Sequence, residues 1–128
     1  MKIKSSQVLV SEALNKVKTI SPEEALKLVN ENKCNLIDIR DDVELQNLGR
    51  IENSFNISRG LLEFSIHPDS NFVKNHKLDL KKEIVLFCAA GGRSALAANT
   101  LKEMGFENVS HIDGGFGSMK NSGFKVIK

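Results

Sequence analysis

The stretch EIVLFCAAGGRSALAANTLKEMG, residues 83–105, joins an apolar run to a helix-like segment through a loop of very small residues. EIVLFC (83–88) predicts a buried strand, and RSALAANTLKEM (93–104) predicts an amphipathic helix that ends at Gly105. A strand that leads directly into a helix is typical of an open parallel sheet, in which ligands bind beyond the carboxyl ends of the strands. Cys88 lies at that point, at the end of the clearest strand of the chain.

Strand and helix patterns also alternate outside this stretch. Further short strands are predicted at 34–40, 54–58 and 108–112. Further helices are predicted at 7–17, 21–31 and 41–49, after Gly115, and as one short helix after Pro68 within a long connection, 59–80. The strands lack the polar alternation of a half-exposed sheet. The pattern therefore predicts an α/β fold, an open parallel sheet with helices on both faces.

Length and charge limit the classes of function. A chain of 128 residues is long enough for one domain with a sizeable core. Its 18 basic and 16 acidic residues leave a net charge of +2, which argues against a nucleic-acid-binding surface. The longest apolar run, IVLFCAA (84–90), is far shorter than the roughly 18 residues of a membrane span, and the amino-terminal segment lacks the apolar core of a signal peptide. We expect a cytoplasmic protein with neither nucleic acid nor membrane as a partner.

The cysteines and histidines do not form a metal-binding pattern. Cys34 and Cys88 lie 54 positions apart, and no Cys-x-x-Cys or His-x-x-x-His spacing occurs. A structural disulfide is not expected in the cytoplasm. Cys34 precedes a strand and has no glycine loop beside it, so we interpret it as structural. The sequence predicts no metal site and no cofactor.

The loop after Cys88 has the composition of an anion-binding cradle. Amides at a helix start have no partner within the helix, and the helix dipole adds a positive field there. Gly91 and Gly92 permit backbone angles that other residues resist, so the loop can curl with its amides turned inward. The expected result is a small ring of N–H groups with a sulfur atom at its centre.

The side chains of the loop favour a reactive sulfur. Arg93 and the helix field favour the thiolate, which is the nucleophilic form of cysteine. Ala89 and Ala90 leave the loop open and add no charge, and Ser94 contributes to the helix start. A cysteine in a strand is more often a small buried hydrophobic residue. Strand end, double glycine, arginine and helix start together favour a nucleophile at Cys88.

With these residues in view, the chain resembles the single-domain rhodaneses, a family of sulfurtransferases. LIDIRDDVELQNLGRIENSFNIS (36–58) is similar to the family's strand with Asp-x-Arg, short helix and turn. The segment from Ile84 to Phe116 is similar to its active-site strand, loop, helix, next strand and Asp-Gly-Gly turn. The resemblance implies five parallel strands. It also implies a rhodanese-like domain at 19–128, preceded by an amphipathic helical extension at 1–18.

The resemblance also implies a two-step activity without a cofactor. Cys88 would take sulfane sulfur from a small donor, thiosulfate or a persulfide, and become a persulfide itself. A thiol, a cyanide-like nucleophile or a protein acceptor would then remove the sulfur. The amides from Ala89 to Arg93 would stabilise the anionic sulfur, and Arg93 would anchor the loop and an anionic donor.

Two other functions remain open at this point. Phosphatases and arsenate reductases of the same fold have one loop residue more than the four between Cys88 and Arg93, so the shorter loop favours sulfur. The neutral Ala89 and Ala90 predict weak binding of thiosulfate, a dianion. A persulfide on a small thiol or on a partner protein is then at least as plausible a donor. The neutral loop also fits a sulfur-carrier module with little turnover of its own.

Several polar residues outside the loop are candidates for supporting roles. Asp38 and Arg40 match the Asp-x-Arg of the family, and a structural ion pair is the simplest explanation for them. Arg59 lies in the long connection, where it can line the pocket, although a packing or solvent role is more common. His111 lies in a predicted strand and is expected to pack rather than catalyse. Phe116 stands where the family commonly has tryptophan.

Overall fold

The computed structural model describes residues 1–128, with seven strands and seven helices. The strands are β1 (Lys18–Ile20), β2 (Cys34–Asp38), β3 (Arg50–Ile51), β4 (Phe55–Asn56), β5 (Glu83–Phe87), β6 (Val109–Ile112) and β7 (Val126–Ile127). The helices are α1 (Ser6–Leu14), α2 (Pro22–Asn30), α3 (Asp42–Leu48), α4 (Leu62–Ser65), α5 (Asn71–His76), α6 (Gly92–Met104) and α7 (Gly115–Met119), with a 3-10 turn at Arg59–Leu61.

Five strands form one parallel sheet in the order β1-β6-β5-β2-β4, which confirms the predicted α/β fold and its open parallel sheet. β5 lies at the centre, and its residues alternate between the two faces. Ile84, Leu86 and Cys88 join the apolar cluster beneath α4, α5 and α6. Val85 and Phe87 join the cluster beneath α2 and α7. The side chain of Cys88 therefore points toward the face that α6 covers.

The local predictions fail where elements are very short. β1, β3 and β7 lie outside the predicted set, since β1 has three residues and β3 and β7 form an antiparallel pair of two residues each. The short helix predicted after Pro68 is confirmed as α5, but the same long connection also contains α4, before Pro68, which the sequence does not predict. The first helix ends at Leu14 rather than 17, as Val17 turns inward against the core.

The amino-terminal helix α1 packs against α6. Ala13 is buried, and a methyl carbon of Val10 lies 3.7 Å from the position that a Cβ would take at Gly92. The Nζ of Lys102, in α6, donates to the carbonyl oxygen of Lys16. The extension at 1–18 thus contacts the helix that follows Cys88. None of the helices is both long enough and apolar enough to cross a membrane.

The start of α7 contacts the beginning of the cysteine loop. The amide of Phe116 donates to the carbonyl oxygen of Cys88 at 2.8 Å, and that of Gly117 donates to Ala89 at 3.3 Å. Gly115 permits this approach, because a Cβ there would lie 2.4 Å from the oxygen of Cys88. Its φ of +56° is also a conformation that residues with a side chain rarely adopt.

We expect Gly115→Ala to lower the free energy of unfolding by about 3 kcal/mol, because it adds a steric clash to a backbone penalty. Gly105→Ala is the matched control. Gly105 has a φ of +112° and nothing within 4 Å of the added methyl, so only the backbone penalty of about 1 kcal/mol applies. Urea unfolding measures both. Equal losses in the two variants would contradict the close packing of α7 on the loop.

Candidate active site

The sulfur of Cys88 accepts hydrogen bonds from the loop that follows it. The amide of Gly91 lies 3.2 Å from Sγ, and the amide of Ser94 lies 3.3 Å from it. The residue is only 1% exposed, so the sulfur is buried with main-chain N–H groups directed at it. Gly91 has a φ of +110°, the left-handed conformation that lets the chain reverse into α6.

Four further amides of the loop have no acceptor in the protein. The N–H groups of Ala89, Ala90, Gly92 and Arg93 take part in none of the hydrogen bonds, whether to backbone or to side chains. Such groups are expected where a helix begins, and together with the helix dipole they attract negative charge. The loop therefore offers unused donors next to the sulfur.

Arg93 is held by an acidic side chain of α3. Its two terminal nitrogens each donate to a carboxylate oxygen of Glu44 at 2.8 Å. One of these oxygens, Oε2, also accepts from the amide of Asp41 at 2.9 Å, which fixes Glu44 at the start of α3. The Arg93 guanidinium lowers the pKa of Glu44 to about 2, and the same pair raises the pKa of Arg93. Arg93 thus anchors the loop, while Glu44 neutralises much of its charge.

Asp38 and Arg40 form a fully buried ion pair. The Nη2 of Arg40 donates to Asp38 at 2.8 Å and to the carbonyl oxygen of Gly49 at 3.0 Å. The guanidinium also lies 3.9 Å from the ring centroid of Phe116, where the aromatic face attracts a cation. Neither residue of the pair hydrogen-bonds to Cys88 or its loop. The pair instead joins the end of β2 to α7, which in turn contacts the carbonyl groups of the loop.

Comparison with known proteins identifies the family to which this chain belongs. A sequence profile described as the rhodanese-like domain matches residues 21–122, which is most of the chain. The chain belongs to the rhodanese-like family. The polysulfide-sulfur transferase homodimer of Wolinella succinogenes is 33% identical, with a TM-score of 0.73 over 94% of this chain and 85% of that chain.

Other relatives of this rhodanese-like domain have different descriptions. A Rhodopseudomonas palustris protein of unknown function, described as a possible tyrosine phosphatase, is 35% identical, with a TM-score of 0.85 over 99% of this chain and 97% of that one. The tRNA uridine(34) hydroxylase of Bartonella quintana (strain Toulouse) is 30% identical over 124 residues, 90% of this chain. The chain spans only 39% of that hydroxylase and 29% of the one from Chlamydia trachomatis serovar L2.

Arg59 makes no side-chain hydrogen bond to the cysteine loop of this rhodanese-like domain. It donates to Glu63 at 2.8 Å and reaches the hydroxyl of Thr100, in α6, at 3.4 Å. These contacts join the connection after β4 to the middle of α6, and none of them involves the cysteine loop. A role for Arg59 in lining the pocket stays a prediction.

Two residues that contact the site, Glu44 and Thr19, are not among the site residues predicted from the sequence. In the sequence, Glu44 can be recognised only as a helix-capping residue three positions after Asp41. This local pattern does not reveal that Glu44 pairs with Arg93. Thr19 lies in the short β1, and its hydroxyl is 2.9 Å from Nε2 of His111. The ring of His111 is buried, as expected from its place in a strand, but its nitrogens are hydrogen-bonded.

Cys34 lies at the other end of the sheet. It pairs with Glu83 in the strand register, five residues before Cys88, which is about 16 Å along the strand. A disulfide needs Cα atoms within about 7 Å, so the two cysteines cannot be bridged in this fold. Burial raises the pKa of Cys34 to about 11, and the thiol therefore stays protonated at neutral pH. Cys34 lines a separate cleft of about 750 Å³.

We expect Glu44→Gln to destabilise the domain by about 1 kcal/mol at pH 7, as for a well-aligned, partly exposed ion pair. Glutamine keeps an acceptor for the Asp41 amide, so the change removes mainly the charge. Because folding lowers the pKa of Glu44 from 4.5 to about 2, its stabilisation is complete above pH 4.5 and disappears as the pH falls toward 2. Urea unfolding should therefore show the two proteins converging in acid.

Glu63→Gln serves as the control, because it removes the ion pair with Arg59, four residues earlier in the chain, and leaves the cysteine loop untouched. We expect it to cost about 0.4 kcal/mol at pH 7. A constant difference between wild type and Glu44→Gln from pH 7 down to pH 2.5 would contradict the assigned pairing of Glu44 with Arg93.

Proposed function

We propose that this rhodanese-like domain is a sulfurtransferase that carries sulfane sulfur as a persulfide on Cys88. The observation that carries the proposal is the loop itself. Sγ of Cys88 already accepts hydrogen bonds from two amides, and four neighbouring amides have no acceptor. A persulfide places one more sulfur atom, with a negative charge, beside these donors. The unused amides supply the hydrogen bonds that such an atom requires.

The chemistry consists of two displacements at sulfur. The Cys88 thiolate attacks the outer sulfur of the donor, a new S–S bond forms, and the bond within the donor breaks. Sulfite leaves thiosulfate with the bonding electron pair, or a thiolate leaves a persulfide donor. An acceptor such as cyanide then attacks the terminal sulfur, forms thiocyanate and restores the Cys88 thiolate. The sequence of steps needs no metal or redox cofactor.

The charge of the site favours a donor with little negative charge. Ala89 and Ala90 contribute no cation, and Arg93 is paired with Glu44 through two hydrogen bonds. The charge of a dianion such as thiosulfate would therefore be balanced only by main-chain amides, since neither alanine is charged and Arg93 is already paired. We infer that a persulfide, whose sulfur chain carries a single negative charge, is the better donor. The 33% identity with a polysulfide-sulfur transferase supports transfer of sulfane sulfur as the type of reaction.

The second displacement requires an external acceptor. Cys34, the other thiol of the chain, lies about 16 Å away along the strands and is held in its protonated form by burial. It therefore cannot take the sulfur or form a resolving disulfide with Cys88. A small thiol or a cysteine of a partner protein fits this requirement. In the second case the domain acts as a sulfur carrier with little turnover on small acceptors.

The phosphatase alternative is weaker on two geometric points. Only four residues separate Cys88 from Arg93, and Arg93 is bound to Glu44 on both terminal nitrogens. A tetrahedral phosphate needs a wider loop and an arginine that is free to bind oxygen. The description of one relative as a possible tyrosine phosphatase makes aryl-phosphate hydrolysis worth measuring. Hydrolysis that depends on Cys88, in the absence of sulfur transfer, would favour that function.

We expect Cys88→Ser to abolish sulfur transfer from a glutathione persulfide or thiosulfate to cyanide, because a hydroxyl does not form the persulfide. Cys34→Ser is the matched control and should retain the wild-type rate within about twofold. Thiocyanate formation measures turnover, and intact mass measures the extra sulfur atom on the protein. Transfer at an undiminished rate by Cys88→Ser, or an added sulfur located on Cys34, would contradict the proposal.

A further inference from the structure

A chain of hydrogen bonds that passes through the buried His111 ends at the loop around Cys88. His111, in β6, is 1% exposed. Its Nδ1 lies 2.9 Å from the hydroxyl of Ser94, in the first turn of α6, and its Nε2 lies 2.9 Å from the hydroxyl of Thr19, in β1. The Ser94 hydroxyl is also 3.2 Å from the carbonyl oxygen of Gly91. The chain therefore joins two strands to the start of the helix.

The available hydrogens fix the direction of each bond. A carbonyl oxygen only accepts, so the Ser94 hydroxyl donates its one hydrogen to Gly91. Ser94 Oγ then accepts from Nδ1–H of His111, and the bare Nε2 accepts from the Thr19 hydroxyl. Burial lowers the pKa of His111, although Asp113 opposes this, so the ring is neutral at pH 7 as the pattern requires.

The chain ends on the two residues that bind the sulfur. Gly91 and Ser94 supply the amides that donate to Sγ of Cys88. The N-cap residue of α6 is Gly91, which has no side chain to fix the helix start, and its φ of +110° lies in the left-handed region that glycine adopts readily. The hydrogen bond from the Ser94 hydroxyl to the Gly91 carbonyl therefore helps to fix the orientation of both residues. His111 holds that hydroxyl in place.

We propose that His111 is a positioning residue for sulfur transfer, which aims the Gly91 and Ser94 amides at the Cys88 sulfur through the Ser94 hydroxyl. Thr19 fixes the ring in the Nδ1–H form. His111 has no hydrogen bond to Cys88 and therefore acts only through Ser94. The inference rests on the proposed function of Cys88, but it also applies to the nucleophilicity of the sulfur in the absence of any donor substrate.

The test compares two substitutions at position 111 in a Cys34→Ser background. His111→Leu removes the donor to Ser94 at similar volume, whereas His111→Asn keeps an N–H donor near the place of Nδ1. We expect His111→Leu to shift the pH profile of Cys88 alkylation by iodoacetamide to higher pH and to slow persulfide formation about fivefold to tenfold, the loss that corresponds to one hydrogen bond. His111→Asn should restore both readouts to within about twofold.

Two variants control for folding and for general effects of core substitution. Thr19→Val removes the hydroxyl that fixes the tautomer, and we expect the variant to fold because Thr19 is exposed on the edge strand β1. It should move the alkylation profile in the same direction by a smaller amount. Ser110→Ala changes a buried serine of the same strand that binds Glu83 instead of the loop. It should leave the profile unchanged.

The outcomes separate this inference from the proposed function. A shifted alkylation profile with Asn rescue supports the positioning role even if the wild-type protein transfers no sulfur, in which case the proposed function fails alone. The inference is overturned if a folded His111→Leu variant has the same pH profile of Cys88 alkylation as the protein with His111. It is also overturned if His111→Leu and His111→Asn are equally impaired. If His111→Leu does not fold, an unchanged profile in Thr19→Val overturns it.

Discussion

The turn from β5 into α6 places a buried sulfur inside the first, unpaired amides of a helix, and the remaining features of the site depend on this arrangement. Helix starts leave N–H groups without acceptors in every protein, and they are usually satisfied by a capping side chain or by water. Here the cap is Gly91, which has no side chain to offer, and Cys88 Sγ accepts two of the amides. The backbone thereby becomes the binding group, and the small residues of the loop allow it to approach the sulfur.

Such a loop needs support from outside, since glycine and alanine do not fix their own conformation. The α7 amides hold the carbonyl groups of Cys88 and Ala89, and the bidentate pair of Arg93 with Glu44 holds the other end on α3. The buried pair of Asp38 and Arg40 supports α7 in turn, through the ring of Phe116. Arg40 and Arg93 are each paired with a carboxylate. These contacts therefore support the loop without adding a large positive charge to the site. This charge balance supports the proposed binding of one charged sulfur atom over that of a multiply charged oxyanion.

The sequence predicts the regular part of this structure well, because β5 and α6 carry long periodic patterns and Gly91, Gly92 and Gly105 mark the turns and ends of α6. It does not predict β1, β3 and β7, since two or three residues carry no periodic signal and their pairing depends on distant segments. The loop around Cys88 is local in sequence and could be recognised. The partners Glu44 and His111 lie 49 and 17 positions from the loop residues that they bind, and only the folded chain brings them together. For His111 in particular, the position in a strand predicts only a packing role. Its hydrogen bonds to Ser94 and Thr19 can be seen only in the structure.

The most direct measurement is an ¹⁵N–¹H NMR spectrum of the labelled protein before and after one equivalent of a persulfide donor, with intact mass taken on the same sample. If main-chain amides hold the transferred sulfur, addition of a sulfur atom to Cys88 will shift the resonances of residues 89–94, and those of the Cys34 region will remain in place. A protein that gains sulfur on Cys88 while the amides of residues 89–94 keep their resonances would contradict the account.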